Sequence, residues 1–186
     1  PDGPWEHPHD FAVDAITVNP YFGRDGIEPF VERASENGAG LFALVRTSNP
    51  SSDEIQKLGA DKDGCVYEEV GRLVEIWGAD RRGAGGYSLL GAVVGATHPE
   101  SLVRLREAMP HTFFLVPGFG AQGAGPEDVV GAFDSKGEGA VVNSSRGIIF
   151  AWQRAPYDSE YGPENWLGAV ETAVIDMKQD LWDATH

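Results

Sequence analysis

With 186 residues, 41% of them hydrophobic, the chain is long enough for one domain with a buried core. Its net charge of −15, from 29 acidic against 14 basic residues, repels nucleic acid and anionic membrane surfaces and argues against both as partners. No apolar run reaches the roughly 20 residues needed to cross a bilayer, and the single Cys65 excludes an internal disulfide or a multi-cysteine zinc site, which fits a reducing, cytoplasmic setting.

The first ten residues, Pro1 to Asp10, carry neither the basic stretch nor the apolar stretch of a signal peptide. They also lack an initiator Met, so the chain is expected to begin inside a longer polypeptide. Asp14 to Pro20 is a β-branched run ended by proline and reads as a buried strand. Ile27, Phe30, Val31 and Ala34 then mark one face of a helix that Asn37-Gly38 stops. Leu41 to Thr47 is the next strand, closed by Ser48-Asn49-Pro50. The polar stretch from Ser51 to Gly64 reads as loop with short irregular helix.

Val66, Val70, Leu73, Val74 and Trp77 recur at helical spacing, and Gly83 to Gly86 is a flexible connection into a third apolar strand, Leu89 to Ala96. Thr97-His98-Pro99-Glu100 has the form of a capping box, with Thr97 as the cap of the helix that Leu102, Leu105 and Met109 continue. Phe113 to Val116 is a fourth strand. A glycine-rich loop, Gly118 to Gly125, leads to a short helix near Pro126, and Gly139 to Asn143 is the fifth strand. Trp152 to Pro163 reads as a surface excursion before a final helix over about 164–184.

Five repeats of apolar strand, loop and helix imply a parallel sheet with helical crossovers. An open doubly wound sheet and a closed barrel share that pattern, and five units fall short of the usual eight. On pattern alone the open sheet ranks first.

In such architectures function collects at the carboxyl ends of the strands. Asn19, Thr47-Ser48-Asn49, Thr97, Gln122 and Ser144-Ser145-Arg146 all fall there. Turn and capping needs explain much of this polarity, and for Thr97 they suffice. Val116 to Gly123 is glycine-dense just after a buried strand, so its backbone N–H groups could approach an anion. It matches neither the Walker A nor the G-x-G-x-x-G pattern. Arg146, directly after the next strand and beside hydroxyls, suits a phosphate clamp. Alone it reads equally well as a surface arginine paired with an acid, but a glycine loop and an arginine on successive strands match the phosphate site that barrels build after their last two strands. The histidines His7, His9, His98, His111 and His186 are scattered and form no metal or nucleophile motif, and Asp61-Lys62-Asp63 reads as a solvated loop.

Five ordered motifs resemble one family: Asp14-Ala-Ile-Thr-Val-Asn-Pro-Tyr-Phe-Gly23, Leu44-Val-Arg-Thr-Ser-Asn-Pro50, Gly91-Ala-Val-Val-Gly-Ala-Thr97, Phe114-Leu-Val-Pro-Gly-Phe-Gly-Ala-Gln-Gly123 and Val142-Asn-Ser-Ser-Arg-Gly147. They are similar to the class II bacterial orotidine 5'-monophosphate decarboxylases, from about Asp10 to the C-terminus. The resemblance implies a (β/α)8 TIM barrel of which this chain, a single domain over 1–186, supplies about five units. It also implies a homodimer that converts orotidine monophosphate to UMP and CO2 without metal or organic cofactor.

Carried over by motif position, Ser48 and Thr47 would contact the pyrimidine, and Pro117 and Gly118 would line the base pocket. Gln122 would reach from its loop to phosphate and base. Ser145, Arg146 and the N–H of Gly147 would hold the phosphate, while Asn19 lies at a strand mouth. The family keeps its catalytic lysine in a D-x-K-x-x-D motif that this chain lacks, so no catalytic residue is assigned here. The five units would be strands four to eight, and an N-terminal segment would be needed to complete the barrel. Two alternatives stay open: another phosphate-binding barrel enzyme, and a catalytically dead domain with an oligomerisation or regulatory role.

Overall fold

The computed structural model describes residues 13–59, 64–120 and 123–186. Its frame is five parallel strands in strictly sequential order: β1 (Ala15–Val18), β2 (Gly40–Arg46), β3 (Ser88–Val94), β4 (Thr112–Pro117) and β5 (Ala140–Asn143). Sequential order decides between the two architectures. A doubly wound sheet reverses its strand order and places helices on both faces. Here no reversal occurs, so right-handed crossovers all fall on one face, as in a segment of a barrel wall.

The helices follow in chain order: α1 (Arg24–Asn37), α2 (Asp53–Gln56), α3 (Val66–Gly78), α4 (Pro99–Ala108), α5 (Pro126–Val129), α6 (Ser145–Ile149), α7 (Tyr157–Glu160) and α8 (Trp166–Thr185). Alternation along each strand sends Leu41, Ala43, Val45, Leu90, Ala92, Val94, Phe114 and Val116 outward. There they form one buried cluster with Ile27 and Val31 of α1, Val74 of α3, Leu102 and Leu105 of α4, and Met177 of α8. The other face carries Thr17, Phe42, Leu44, Leu115 and Val141, which stay partly or largely exposed. Helix α1 ends as its sequence demands, with Gly38 in the left-handed region at φ 64°.

The N-terminal end of the sheet is locked by charge. Glu75 of α3 accepts a hydrogen bond from Thr112 Oγ1 at 2.7 Å and lies 2.8 Å from His111 Nδ1. Arg106, itself buried, donates to the Thr112 carbonyl at 2.7 Å and stacks 3.7 Å above the Phe114 ring. In barrels this end serves stability.

Two expectations change. Thr97 is not the cap of α4: His98 holds that position without a side-chain cap bond, and Thr97 Oγ1 is buried with no partner among the described residues. Ala96 N–H continues the sheet ladder to the Pro117 carbonyl at 2.8 Å, which keeps the chain extended and starts the helix one residue late. The excursion at 152–163 is not wholly surface. Short helical turns there pack Trp152, Tyr157 and Tyr161 around Ala151, Ala169 and Ala173 in a second small core.

Candidate functional site

Pro117 and Asn143 are register partners at the carboxyl ends of β4 and β5, so the residues that follow them leave the sheet side by side. Pro117, Gly118, Phe119, Asn143, Ser144, Ser145 and Arg146 line a cleft of about 110 Å3, none of them acidic. That volume is a few waters' worth, since a water occupies about 30 Å3, and it suits one tetrahedral oxyanion. Gly118, Gly120 and Gly123 have φ of 105°, 69° and 97°, conformations closed to most side chains. The glycine density of this loop is therefore a backbone requirement. The loop closes on itself through Gly120 N–H to the Ala124 carbonyl at 2.8 Å and Gly123 N–H to the Gly120 carbonyl at 2.9 Å.

Ser144 joins the loop to the next turn, its hydroxyl donating to the Phe119 carbonyl at 3.0 Å. Gly147 follows closely enough that any Cβ there would collide with Ser144 Oγ. The N–H groups of Ser145, Arg146 and Gly147 open α6, where a helix has no acceptors of its own to offer. Arg146 is solvent-exposed on the cleft wall. The glycine loop, the first residues of α6 and Arg146 thus line one place.

Thr47 and Ser48 stand at the same end of the sheet, beyond β2. Arg46 and Gly95 are bonded across the β2–β3 ladder, Gly95 N–H to the Arg46 carbonyl at 2.7 Å. Arg46 itself is completely buried. Its guanidinium donates to Ser52 Oγ and Gln56 Oε1 at 3.1 Å each, pairs with Asp53, and stands 5.4 Å from the Tyr67 ring centroid. Arg46 first and Lys57 second hold the Asp53 carboxyl down at about 2. Burial, then the Arg46 charge, pushes the His98 imidazole below its ordinary value, which favours its neutral form.

Asn19 serves locally: its side-chain oxygen accepts the Tyr21 N–H at 3.0 Å and caps the turn Pro20–Phe22. It lines a groove of about 550 Å3 with Thr47, Asn49 and Gln56, separate from the Arg146 cleft. Gln122, together with His7, His9 and Asp61-Lys62-Asp63, lies outside the described residues. Sequence reasoning assigned no role to Arg46, Gln56 or Phe119, and named Ser144 only within the polar cluster Ser144-Ser145-Arg146. A charge at the end of the apolar run Leu41–Val45 was the available signal for Arg46.

The described lysines Lys57, Lys136 and Lys178 are all exposed, so none is a desolvated ammonium. Among the described residues, no group of three or more His, Cys, Asp or Glu is placed to hold a metal, and no helix is long and apolar enough to cross a membrane.

The sequence profile of the orotidine 5'-phosphate decarboxylase / HUMPS family matches residues 7–155. The chain is similar to the orotidine 5'-phosphate decarboxylase of Rhodopirellula baltica, 51% identical over 92% of this chain and 56% of that protein. Its counterpart in Caldicellulosiruptor bescii is 52% identical over 86% and 52%. Among solved structures, Leishmania donovani OMP decarboxylase superposes with a TM-score of 0.67 at 30% identity, over 91% of this chain and 58% of that one. Leishmania donovani UMP synthase does so at 0.63 and 33%, over 86% and 33%. The chain therefore spans just over half the length of the curated relatives it matches.

Proposed function

The chain belongs to the orotidine 5'-phosphate decarboxylase / HUMPS family, and from that premise we propose that it is the substrate-gripping part of an orotidine 5'-monophosphate decarboxylase, a lyase of pyrimidine biosynthesis that forms UMP and CO2. The observation that carries this reading is the Arg146 cleft, which Arg146 and the Gly118–Phe119 turn line together at two neighbouring strand ends.

In this reading the phosphate lies in that cleft. The Arg146 guanidinium offers a charge-assisted, bidentate contact, and the opening amides of α6 with the Gly147 N–H complete the grip. A strongly acidic protein can hold an anion only where local donors outweigh its overall field, and this cleft meets that condition. Pro117 and Gly118 flank the base side, and the Thr47–Ser48 turn that follows β2 offers the Ser48 hydroxyl. Asn19 stands past the end of β1, in the separate groove that Thr47 also lines.

Decarboxylation leaves an electron pair on the pyrimidine ring, which a fixed ammonium must stabilise and then protonate. Grip on the distant phosphate supplies the binding energy that holds the carboxylate in so charged a site. The described lysines Lys57, Lys136 and Lys178 are exposed and do not provide that ammonium. The catalytic residues are accordingly assigned to the remaining barrel units, and the isolated chain is proposed to be inactive. The complete protein is proposed to be a cytoplasmic homodimer.

A second reading, another enzyme acting on sugar phosphates, draws on the same cleft, because a phosphate grip does not distinguish what the phosphate carries. Ligand-dependent melting of a full-length protein containing this segment separates the two. UMP should raise its Tm and ribulose 5-phosphate should not, and the assembled protein should release CO2 from orotidine monophosphate. A Tm raised by the sugar phosphate alone, without CO2 release, would overturn the assignment.

A further inference from the structure

We propose that Arg46 and Gln56 are positioning residues that set the Thr47–Ser48 loop for the base end of the substrate, independently of the phosphate grip; this rests on the decarboxylase reading above. Strand β2 carries a register irregularity between Leu44 and Arg46, and the Arg46 side chain lies under the loop that follows it. All the hydrogen-bond acceptors that the buried guanidinium uses, Ser52 Oγ, Asp53 Oδ1 and Gln56 Oε1, lie within the five residues 52–56. Arg46 therefore fixes the returning arm of the loop, and Gln56 passes that order back to its start.

Gln56 does so with both ends of its amide. Its Oε1 accepts the Thr47 N–H at 3.0 Å, and its Nε2 donates to Thr47 Oγ1 at 2.8 Å. Thr47 Oγ1 in turn donates to Asn49 Oδ1 at 2.6 Å. Ser48, between them, is braced from the other side by Gly95: a Cβ there would come within 2.9 Å of both Ser48 Cβ and its backbone nitrogen. Among the described residues nothing bonds to the Ser48 hydroxyl, which is left for a ligand while its backbone is held on both flanks.

Burying a guanidinium is costly, and its Nε stays without a partner among the described residues. An apolar side chain of similar size would serve packing as well. What the charge adds is a fixed geometry for residues 47–56.

The test uses Gln56→Ala, at a half-buried site, beside Arg46→Met and the conservative Arg46→Lys, all in a full-length protein carrying this segment. Affinity is measured for UMP and for ribose 5-phosphate, which keeps the phosphate and lacks the base. Loss of one or two hydrogen bonds should weaken UMP about tenfold in Gln56→Ala, while ribose 5-phosphate binds as before. The Thr47 amide, freed of its acceptor, should exchange with solvent faster, and Arg46→Lys should recover part of the UMP affinity lost in Arg46→Met.

Parallel weakening of both ligands would reduce Arg46 and Gln56 to general stability and overturn the proposal, as would unchanged UMP affinity. Should the unsubstituted protein fail to prefer UMP over ribose 5-phosphate, the decarboxylase reading falls instead. The clamp is then judged on Thr47 exchange alone, and an unaltered rate in Gln56→Ala refutes it.

Discussion

The hydroxyl of Ser144 donates to the carbonyl of Phe119 at 3.0 Å, joining two buried residues 25 positions apart in the chain. This bond ties the turn after β5 to the glycine loop after β4. The backbone closes tightly around it: a Cβ at Gly120 would stand 3.2 Å from the same oxygen, and one at Gly147 would overlap it. The width of the Arg146 cleft is therefore set by a side chain that never needs to touch the ligand.

Ser144→Ala should cost about 1–3 kcal/mol, because it leaves a buried carbonyl without its donor. Gly147→Ala should cost about 1–3 kcal/mol by overpacking against the same hydroxyl. The two effects should not add. With Ser144 Oγ gone the methyl at 147 has room, so Gly147→Ala should cost less in the Ser144→Ala background. Urea denaturation of the four proteins in the cycle measures this, and additivity within about 0.5 kcal/mol would refute the shared contact.

Arg146→Ala should weaken UMP by roughly 2–5 kcal/mol, the scale on which truncating one partner of a hydrogen-bonded charge pair acts. Uridine, which has no phosphate, should bind the variant and the parent alike. Calorimetry with both ligands in a full-length protein reads the difference. A loss for UMP smaller than about tenfold, or about 1.4 kcal/mol, would mean that the phosphate sits elsewhere.

The apolar strands and helical faces were legible because burial on both sides of a parallel sheet leaves a simple hydrophobic pattern. That pattern could not separate an open sheet from a barrel, since periodicity reports which faces are buried and not how strands are ordered. The family motifs made the choice, and the sequential order β1 to β5 agrees with them. That Gly118 and Arg146 would lie at neighbouring strand ends was legible from position alone, since Gly118 follows β4 directly and Arg146 comes three residues after β5. Arg46 was not, because an arginine beside Thr47 and Ser48 reads as solvated, and its burial depends on a loop that folds back over six to ten residues to meet it. Thr97 was misread for a related reason: the capping spacing is present, but the ladder bond at Ala96 keeps the chain extended past it.

Asp53 offers a pH test of the Arg46 contact. Its carboxyl is lowered from 3.8 to about 2, first by the hydrogen bond from Arg46 and then by Lys57. A carboxyl held down in the folded state stabilises the fold fully above its unfolded value. That contribution is lost as pH falls from about 3.8 through about 2. In Arg46→Met the Asp53 titration followed by NMR should move back up toward 3.8, and Lys57→Ala should move it less. Equal shifts in the two variants would show that Lys57, not the buried guanidinium, governs this carboxylate.

The two edges of the sheet yield the last expectation. Among the described residues β1 and β5 each have one neighbour, and apolar side chains gather at both ends. At the first, Val13, Ile16 and Phe30 are 64%, 43% and 47% exposed along a groove of about 560 Å3 between β1 and α1. At the other, Val141, Ile149 and Phe150 are exposed, as are Leu167, Ile175 and Trp182 on α8. At about 25 cal/mol per Å2, uncovered apolar surface of this kind drives association, and unpaired strand edges add backbone donors and acceptors to it. The isolated segment should therefore bind a hydrophobic dye such as ANS and self-associate on gel filtration. Adding the separately produced N-terminal units of the Rhodopirellula baltica relative should abolish dye binding, yield a defined complex and slow amide exchange at Ile16 and Val141 together. Protection of one edge without the other would mean that the added units do not close a barrel, and a dye-silent, monomeric segment would mean that these faces are not an interface at all.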